Sequence, residues 1–281
     1  MTQSKEEVLI EALPYIQKYE GKTFVVKYGG AAMTDNHLKE TFAKDVTILK
    51  KIGINIVIVH GGGKEITSIA DKLGIETTFV NGQRYTDEKM VSVVQMVLAG
   101  KINKEIVTLI NKNDGQAIGL SGVDNNLLRA EKYIEDGNDL GFVGKISDVN
   151  VPFLQLLINN KLMPVIAPVG VDSNGTIYNV NADIGAGAIA SALKAEKLVY
   201  MSDIEGVTAK GKLISTLTEQ FARELVAEGG ISGGMIPKVK SAFSTLHSNV
   251  SKVHIIDGRI KHSLLLEIFT DEGIGTQLVL K

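Results

Sequence analysis

The chain has 281 residues, 44% of them hydrophobic and 5% aromatic, with 30 basic against 32 acidic side chains and a formal charge of −2. Interspersed, nearly balanced charge and the absence of tryptophan leave no footprint for nucleic acid or an anionic membrane; no apolar run approaches the roughly 20 residues of a bilayer span, and Glu6, Glu7 and Glu11 argue against a signal peptide. With no cysteine, disulfides, thiolate metal sites and a cysteine nucleophile are excluded, and a reducing, cytoplasmic setting is expected.

In chain order, the first element is a helix within residues 1–20. Ser4 with Glu7 three positions later makes a capping box, and Val8, Leu9, Ala12, Leu13, Ile16 and Tyr19 follow at helical spacing. Pro14 is expected to kink this helix. Its apolar stripe can pack on its own domain or on another subunit.

From there, strands are predicted near 23–27, 54–59, 116–120, 164–167, 197–201 and 252–256. Helices are predicted near 34–52, 63–73, 87–112, 151–160, 184–194, 218–228 and 235–247. The alternation implies the α/β class, a mainly parallel sheet covered on both faces, in which ligands sit beyond the carboxyl ends of the strands. Pro164 to Gly175, with Pro168, Gly170 and Asn174-Gly175, reads as a transition between two lobes.

Two strands end in glycine loops, Lys27-Tyr28-Gly29-Gly30 and His60-Gly61-Gly62-Gly63. Glycine lets the main chain approach an anion and aim its N–H groups at it, and Lys27 adds a compact positive charge. One such pair alone is equally a plain turn; two after two strands point to phosphate. Neither is a Walker loop, since the nearest approach, Gly206 to Lys212, continues into Leu213 where Ser or Thr is required.

Further along, Arg84 follows Asn81-Gly82-Gln83 and precedes a helix, so its fork suits a carboxylate, unless it is an ordinary surface arginine. Asn179, Asn181 and Asp183 alternate with Tyr178, Val180 and Ala182, which in an extended segment puts one polar row on one side; a solvated edge or an Asx-rich turn is the competing reading. The following Gly185-Ala-Gly187-Ala-Ile-Ala190 matches a dinucleotide pattern but lacks the buried strand before it, and reads as close packing of helix on sheet. Ser202-Asp203 ends another strand, and Lys238 lies just after Gly233-Gly234-Met235-Ile236-Pro237, a helix start that favours anions. His37, His60, His247, His254 and His262 show no metal spacing, and His60 reads as structural within its glycine loop.

Taken together, these six segments in this order resemble the amino acid kinase family, and within it the N-acetyl-L-glutamate kinases of the arginine-sensitive type. The resemblance covers nearly the whole chain. It implies an open three-layer αβα sandwich and ATP-dependent phosphorylation of the side-chain carboxylate of N-acetyl-L-glutamate in arginine biosynthesis. It divides residues 23–281 into a lobe of about 23–175 for the acyl amino acid and dimerisation, and one of about 176–281 for the nucleotide.

By position, the resemblance makes Lys27 and Lys238 the cations of the transition state, with Asp183 holding both. It puts Gly62, Gly63, Arg84 and Asn179 at the acyl amino acid, and Gly30, Ser202, Asp203, Gly206 and Lys210 at the nucleotide. Mg2+ is held mainly by ATP oxygens, so no protein ligand is named. The resemblance further implies a homohexamer built as a trimer of dimers through an N-terminal oligomerisation helix in residues 1–22. L-arginine is the implied inhibitor, near Tyr15, Lys212, His254, Glu267 and Gly273, and a PII signalling protein is left open as a further partner.

Overall fold

A strand whose side chains alternate between two separate cores must lie in a sheet covered on both faces, and the strand Thr23–Tyr28 does so. Its Phe24, Val26 and Tyr28 enter one core, and Val25 enters the other. The neighbouring strand Asn55–His60 repeats the division, with Ile56 and Ile58 on the first side and Val57 and Val59 on the second. The computed structural model describes residues 5–80, 82–135, 137–209, 211–231, 235–270 and 273–281.

The sheet has eight strands. From edge to edge they are Thr216–Thr218, Thr276–Val279, Lys252–Asp257, Lys197–Ser202, Thr23–Tyr28, Asn55–His60, Met163–Ala167 and Ala117–Ser121. All neighbouring pairs are parallel except Lys252–Asp257 with Thr276–Val279. The mainly parallel, doubly covered sheet expected from the alternation, and the αβα sandwich implied by the family resemblance, are thus the observed architecture. The first strand is central: Lys27 registers with Val59 on one side and Tyr200 on the other. The chain runs on from this strand to Asn55–His60 on one side, and from the adjacent Lys197–Ser202 to Lys252–Asp257 on the other, and this divergence opens a crevice at their carboxyl ends.

All six predicted strands form, and the predicted helices match Asn36–Lys51, Gly63–Lys72, Val151–Asn159, Ala182–Ala192, Glu219–Ala227 and Met235–His247 closely. The long helix expected over 87–112 is instead three pieces, Glu88–Gln95, a π-helical segment Met96–Ile102, and Asn103–Lys112. Four strands, Leu128–Glu135, Asn138–Val149, Val169–Val171 and Ile177–Val180, close a small barrel that the sequence pattern did not disclose. Their many outward charges, as in Arg129 to Lys132, hide strand propensity.

At the amino end, the helix Lys5–Tyr19 runs through Pro14 and packs on the helix Ser263–Phe269. Tyr19 is buried and Tyr15 half-buried, but Leu13 is 53% and Ile10 66% exposed, so the stripe is only partly covered by its own chain. Ser4 of the expected capping box lies outside the described residues. None of the helices among the described residues is long and apolar enough to cross a membrane.

Candidate active site

The expected row of Asn179, Asn181 and Asp183 on one extended segment does not exist. The strand stops at Val180, Asn181 caps the helix Ala182–Ala192, and Asp183 lies in its first turn. Helix formation wins because the Asn181 Oδ1 accepts from the N–H groups of Asp183 and Ile184, at 2.8 and 3.3 Å. The turn aims the Asp183 carboxylate at the carboxyl end of the central strands.

There Asp183 meets two lysines from opposite halves of the chain. Lys27 Nζ lies 2.9 Å from Oδ1 as an ion pair, and Lys238 Nζ donates to Oδ2 at 2.7 Å. Lys238 projects from the first turn of the helix Met235–His247, and its ammonium also sits 5.1 Å from the centre of the Tyr200 ring. Burial pushes the Asp183 carboxyl up, but the two ammonium charges outweigh it and hold the group at about 2. Burial pulls the Lys238 ammonium below the ordinary lysine value, against the pull of Asp183. Tyr200 donates to the Asp183 backbone carbonyl at 3.3 Å, which ties the helix start to the sheet.

Two clefts flank this group. One is lined by Gly61, Gly62, Gly63, Gly82, Arg84 and Asn179, among others. Arg84 is only 8% exposed. Its guanidinium donates through Nη2 to the Gly63 carbonyl and Thr67 Oγ1, both at 2.9 Å, and lies over the Phe79 ring. It is therefore a fixed, desolvated cation and not a surface arginine. Asn179 donates to Thr86 Oγ1 at 3.1 Å. Gly62 has no room for a side chain, because a Cβ there would stand 2.6 Å from Leu98 Cδ2 of the π-helical segment.

The second cleft is lined by Asp203, Glu205, Gly206, Gly230, Met235 and Arg259, with others. Asp203 follows the strand Lys197–Ser202 and accepts from the Ala31 N–H, clamping the turn Gly30–Met33. Gly30 has φ +71°, and a Cβ there would run into the Asp203 carboxylate, so the position requires glycine on both counts. Lys210, Gly233 and Gly234 lie outside the described residues, as does Asn81. Among the described residues, no cluster of three His, Asp or Glu side chains could hold a metal ion.

A second, remote group forms behind the N-terminal helix. His254 Nδ1 pairs with Glu267 Oε1, and Glu267 Oε2 accepts from the N–H groups of Ile274 and Gly275, at 2.8 and 3.1 Å. Gly273, at φ +62°, lies against the same carboxylate. Burial pushes that carboxyl up, yet His254, the Ile274 N–H and Lys197 keep it below the ordinary value. Tyr15 stacks near Tyr19, with ring centroids 6.3 Å apart. Lys212 lies on the ribbon of Thr208–Ala209 and Lys212–Leu213.

A lysine of this group that sequence reasoning missed is Lys197, whose charge acts on both Glu267 and His254. It is 4% exposed, sits over the Tyr19 ring at 4.9 Å, and is brought down to about 8 by burial. Its signal was present: a lysine opening an otherwise apolar, buried strand.

The model of the amino acid kinase family matches residues 22–257. An acetylglutamate kinase of Chlorobaculum tepidum is 57% identical over 97% of the chain and 95% of that protein. One from Caldanaerobacter subterraneus subsp. tengcongensis is 55% identical over 98% and 93% respectively. Among solved structures, N-acetylglutamate synthase of Neisseria gonorrhoeae, complexed with coenzyme A and N-acetyl-glutamate, superposes with TM-score 0.90 at 27% identity. This chain is covered to 99% but spans only 64% of the synthase's length. Carbamate kinase of Giardia lamblia bound to AMP-PNP, at TM-score 0.66 and 14% identity over 93% of this chain and 99% of its own, shares the fold.

Proposed function

Because the chain belongs to the amino acid kinase family, we propose that its two clefts bring ATP and N-acetyl-L-glutamate together across the Lys27–Asp183–Lys238 group. The enzyme makes N-acetyl-L-glutamyl 5-phosphate and ADP, the second step of arginine biosynthesis. Curated relatives at more than half identity, named for this activity, support the reading. The observation that carries it is the single carboxylate of Asp183 held between two lysine ammoniums.

The substrate's side-chain carboxylate is already ionised at neutral pH, so no general base is needed. One of its oxygens forms a bond to the γ-phosphorus, and the bond from that phosphorus to the β,γ-bridging oxygen breaks, leaving its electron pair on ADP. Lys27 and Lys238 offset the charge on the transferred group from opposite ends, and Asp183 keeps them from drifting. Gly62, Gly63, Arg84 and Asn179 receive the acyl amino acid, Arg84 through a carboxylate. Gly30, Ser202, Asp203, Gly206 and Lys210 attend the nucleotide. The lobes of about 23–175 and 176–281 serve these two ligands.

Magnesium belongs with the ATP oxygens. The carboxylates nearest the centre are engaged, Asp183 by two lysines and Asp203 by the Ala31 N–H, so no step is assigned to a protein-bound ion.

Feedback by L-arginine at the buried Glu267 group is part of the proposal. It is supported by the carboxylate beside His254 and Gly273, and by a structure of the Neisseria synthase complexed with coenzyme A and L-arginine, at TM-score 0.85 and 26% identity. The partly uncovered helix Lys5–Tyr19 supports assembly into a hexamer of three dimers, a surface on which a PII protein is a further candidate partner.

The test is hydroxylamine trapping of an acyl phosphate with MgATP, comparing N-acetyl-L-glutamate with glutamate, aspartate and carbamate. Trapping confined to the acetylated substrate is expected. Product with carbamate or a free amino acid instead would replace the assigned substrate.

A further inference from the structure

Behind the second glycine loop lies a polar chain, buried at His60 and Asn103, that the reaction above does not use. Lys104 Nζ donates to Asn103 Oδ1 at 3.1 Å. Asn103 Nδ2 faces the carbonyls of Val165 and Leu120, at 2.9 and 3.2 Å, and the Nε2 of His60 at 3.2 Å. His60 Nδ1 in turn lies 2.9 Å from the Gly61 carbonyl. Both His60 and Asn103 are 0% exposed.

The partners fix the hydrogen positions. A lysine on one end of the Asn103 amide and two carbonyls at the other allow only one orientation of that amide, with its N–H groups toward His60. The two N–H groups are shared among three acceptors, the two carbonyls and His60 Nε2. A proton on Nε2 would meet this donor group and leave the Nδ1 lone pair against a carbonyl oxygen, so the ring proton is on Nδ1 and is donated to the Gly61 carbonyl. Burial brings the ring down to about 4, so it is neutral at physiological pH.

The consequence falls on the next peptide. All described peptide bonds are trans, and in a trans peptide the C=O of one residue and the N–H of the next point in opposite directions. With the Gly61 carbonyl turned inward to His60, the Gly62 N–H is turned the other way, toward the cleft. Among the described residues, neither the Gly62 nor the Gly63 N–H has an acceptor. The preceding peptide is fixed as well, because the Gly61 N–H donates to the Tyr28 carbonyl at 2.9 Å.

We propose that His60 is a positioning residue for the transfer reaction, holding the Gly61–Gly62 peptide so that the Gly62 N–H faces the transferred phosphoryl group, with Asn103 and Lys104 setting the ring. The π-helical segment Met96–Ile102 has a role in this. It ends at Ile102, presses Leu98 and Ile102 against Gly62, and delivers Asn103 at its boundary into the core. This inference rests on the kinase reading of the same site.

The test compares two polar variants that keep different halves of the imidazole. His60→Asn puts a side-chain N–H where Nδ1–H stands and retains the bond to the Gly61 carbonyl. His60→Gln reaches instead to the Nε2 position and Asn103. Steady-state acyl-phosphate formation and melting temperature are measured for both and for the unaltered enzyme. His60→Asn is expected to stay within about 3-fold of the original kcat, and His60→Gln to fall by about 10-fold or more with KM for ATP little changed. A purely structural histidine would give equal kcat for the two, or a loss that follows melting temperature, and either result overturns the assignment. If the unaltered enzyme forms no acyl phosphate, the kinase reading fails and this inference with it. If it turns over but the variants rank in the reverse order, only this inference fails.

Discussion

Lys238 Nζ donates to Asp183 Oδ2 at 2.7 Å across 55 positions of sequence, and both side chains are largely withdrawn from solvent, at 12% and 22% exposure. Two like charges, Lys27 and Lys238, share this carboxylate. Removing Asp183 therefore leaves two ammoniums facing each other with no counter-charge. Asp183→Asn is expected to lower kcat by about 10²-fold or more while leaving ATP binding measurable, read by steady-state kinetics with nucleotide titration.

The same carboxylate has a defined pH signature. Its folded-state value of about 2 is below the ordinary value of about 3.9, so its contribution to stability is fully present above about pH 4 and is lost as pH falls through the folded value. Melting temperature against pH should drop in this acid window in the unaltered enzyme and drop less in Asp183→Asn. An identical acid profile in both would mean that the ion pairs add nothing to stability.

Each lysine is expected to act on the chemical step. Lys27→Ala and Lys238→Ala should each lower kcat by roughly 10²-fold. Since burial lowers the Lys238 value, the alkaline limb of kcat should begin below the ordinary lysine range of about 10.4. Near-normal turnover in either variant would remove that lysine from the mechanism.

Arg84 already spends Nη2 on Gly63 and Thr67, which fixes the plane of the fork. Arg84→Lys keeps the charge and loses the plane, so KM for N-acetyl-L-glutamate should rise by about 10-fold or more with KM for ATP unchanged. Equal effects on both substrates would argue for a structural role.

Packing and assembly give two more expectations. A Cβ at Gly187 would stand 2.7 Å from Thr245 Oγ1, so Gly187→Ala should destabilise the contact between the helices Ala182–Ala192 and Met235–His247 by about 1–3 kcal/mol, seen in denaturant unfolding. Deleting residues 1–20 should yield dimers with weakened arginine inhibition, measured by light scattering and arginine titration. Fully inhibited hexamers from that deletion would contradict the role given to the helix.

By itself, the sequence determined what depends on near neighbours. Phe24 to Val26 and Ile54 to Val59 announce buried strands, Gly29-Gly30 and Gly61 to Gly63 announce close main-chain turns, and the alternation with helical periods announces a mainly parallel sheet. Signals were weakest where strands carry charge on an open face, as in Leu128–Glu135, and where capping decided a boundary, as at Asn181. Only the tertiary structure decided which distant residues meet. Strand order puts Lys27 beside Tyr200, and with it Asp183 between two lysines; the π-helical segment sets Asn103 on His60; the strand Lys197–Ser202 buries Lys197 beneath Tyr19. Periodicity records which way a side chain faces along its own element, whereas such pairings depend on the order and crossing of elements that are far apart in the chain.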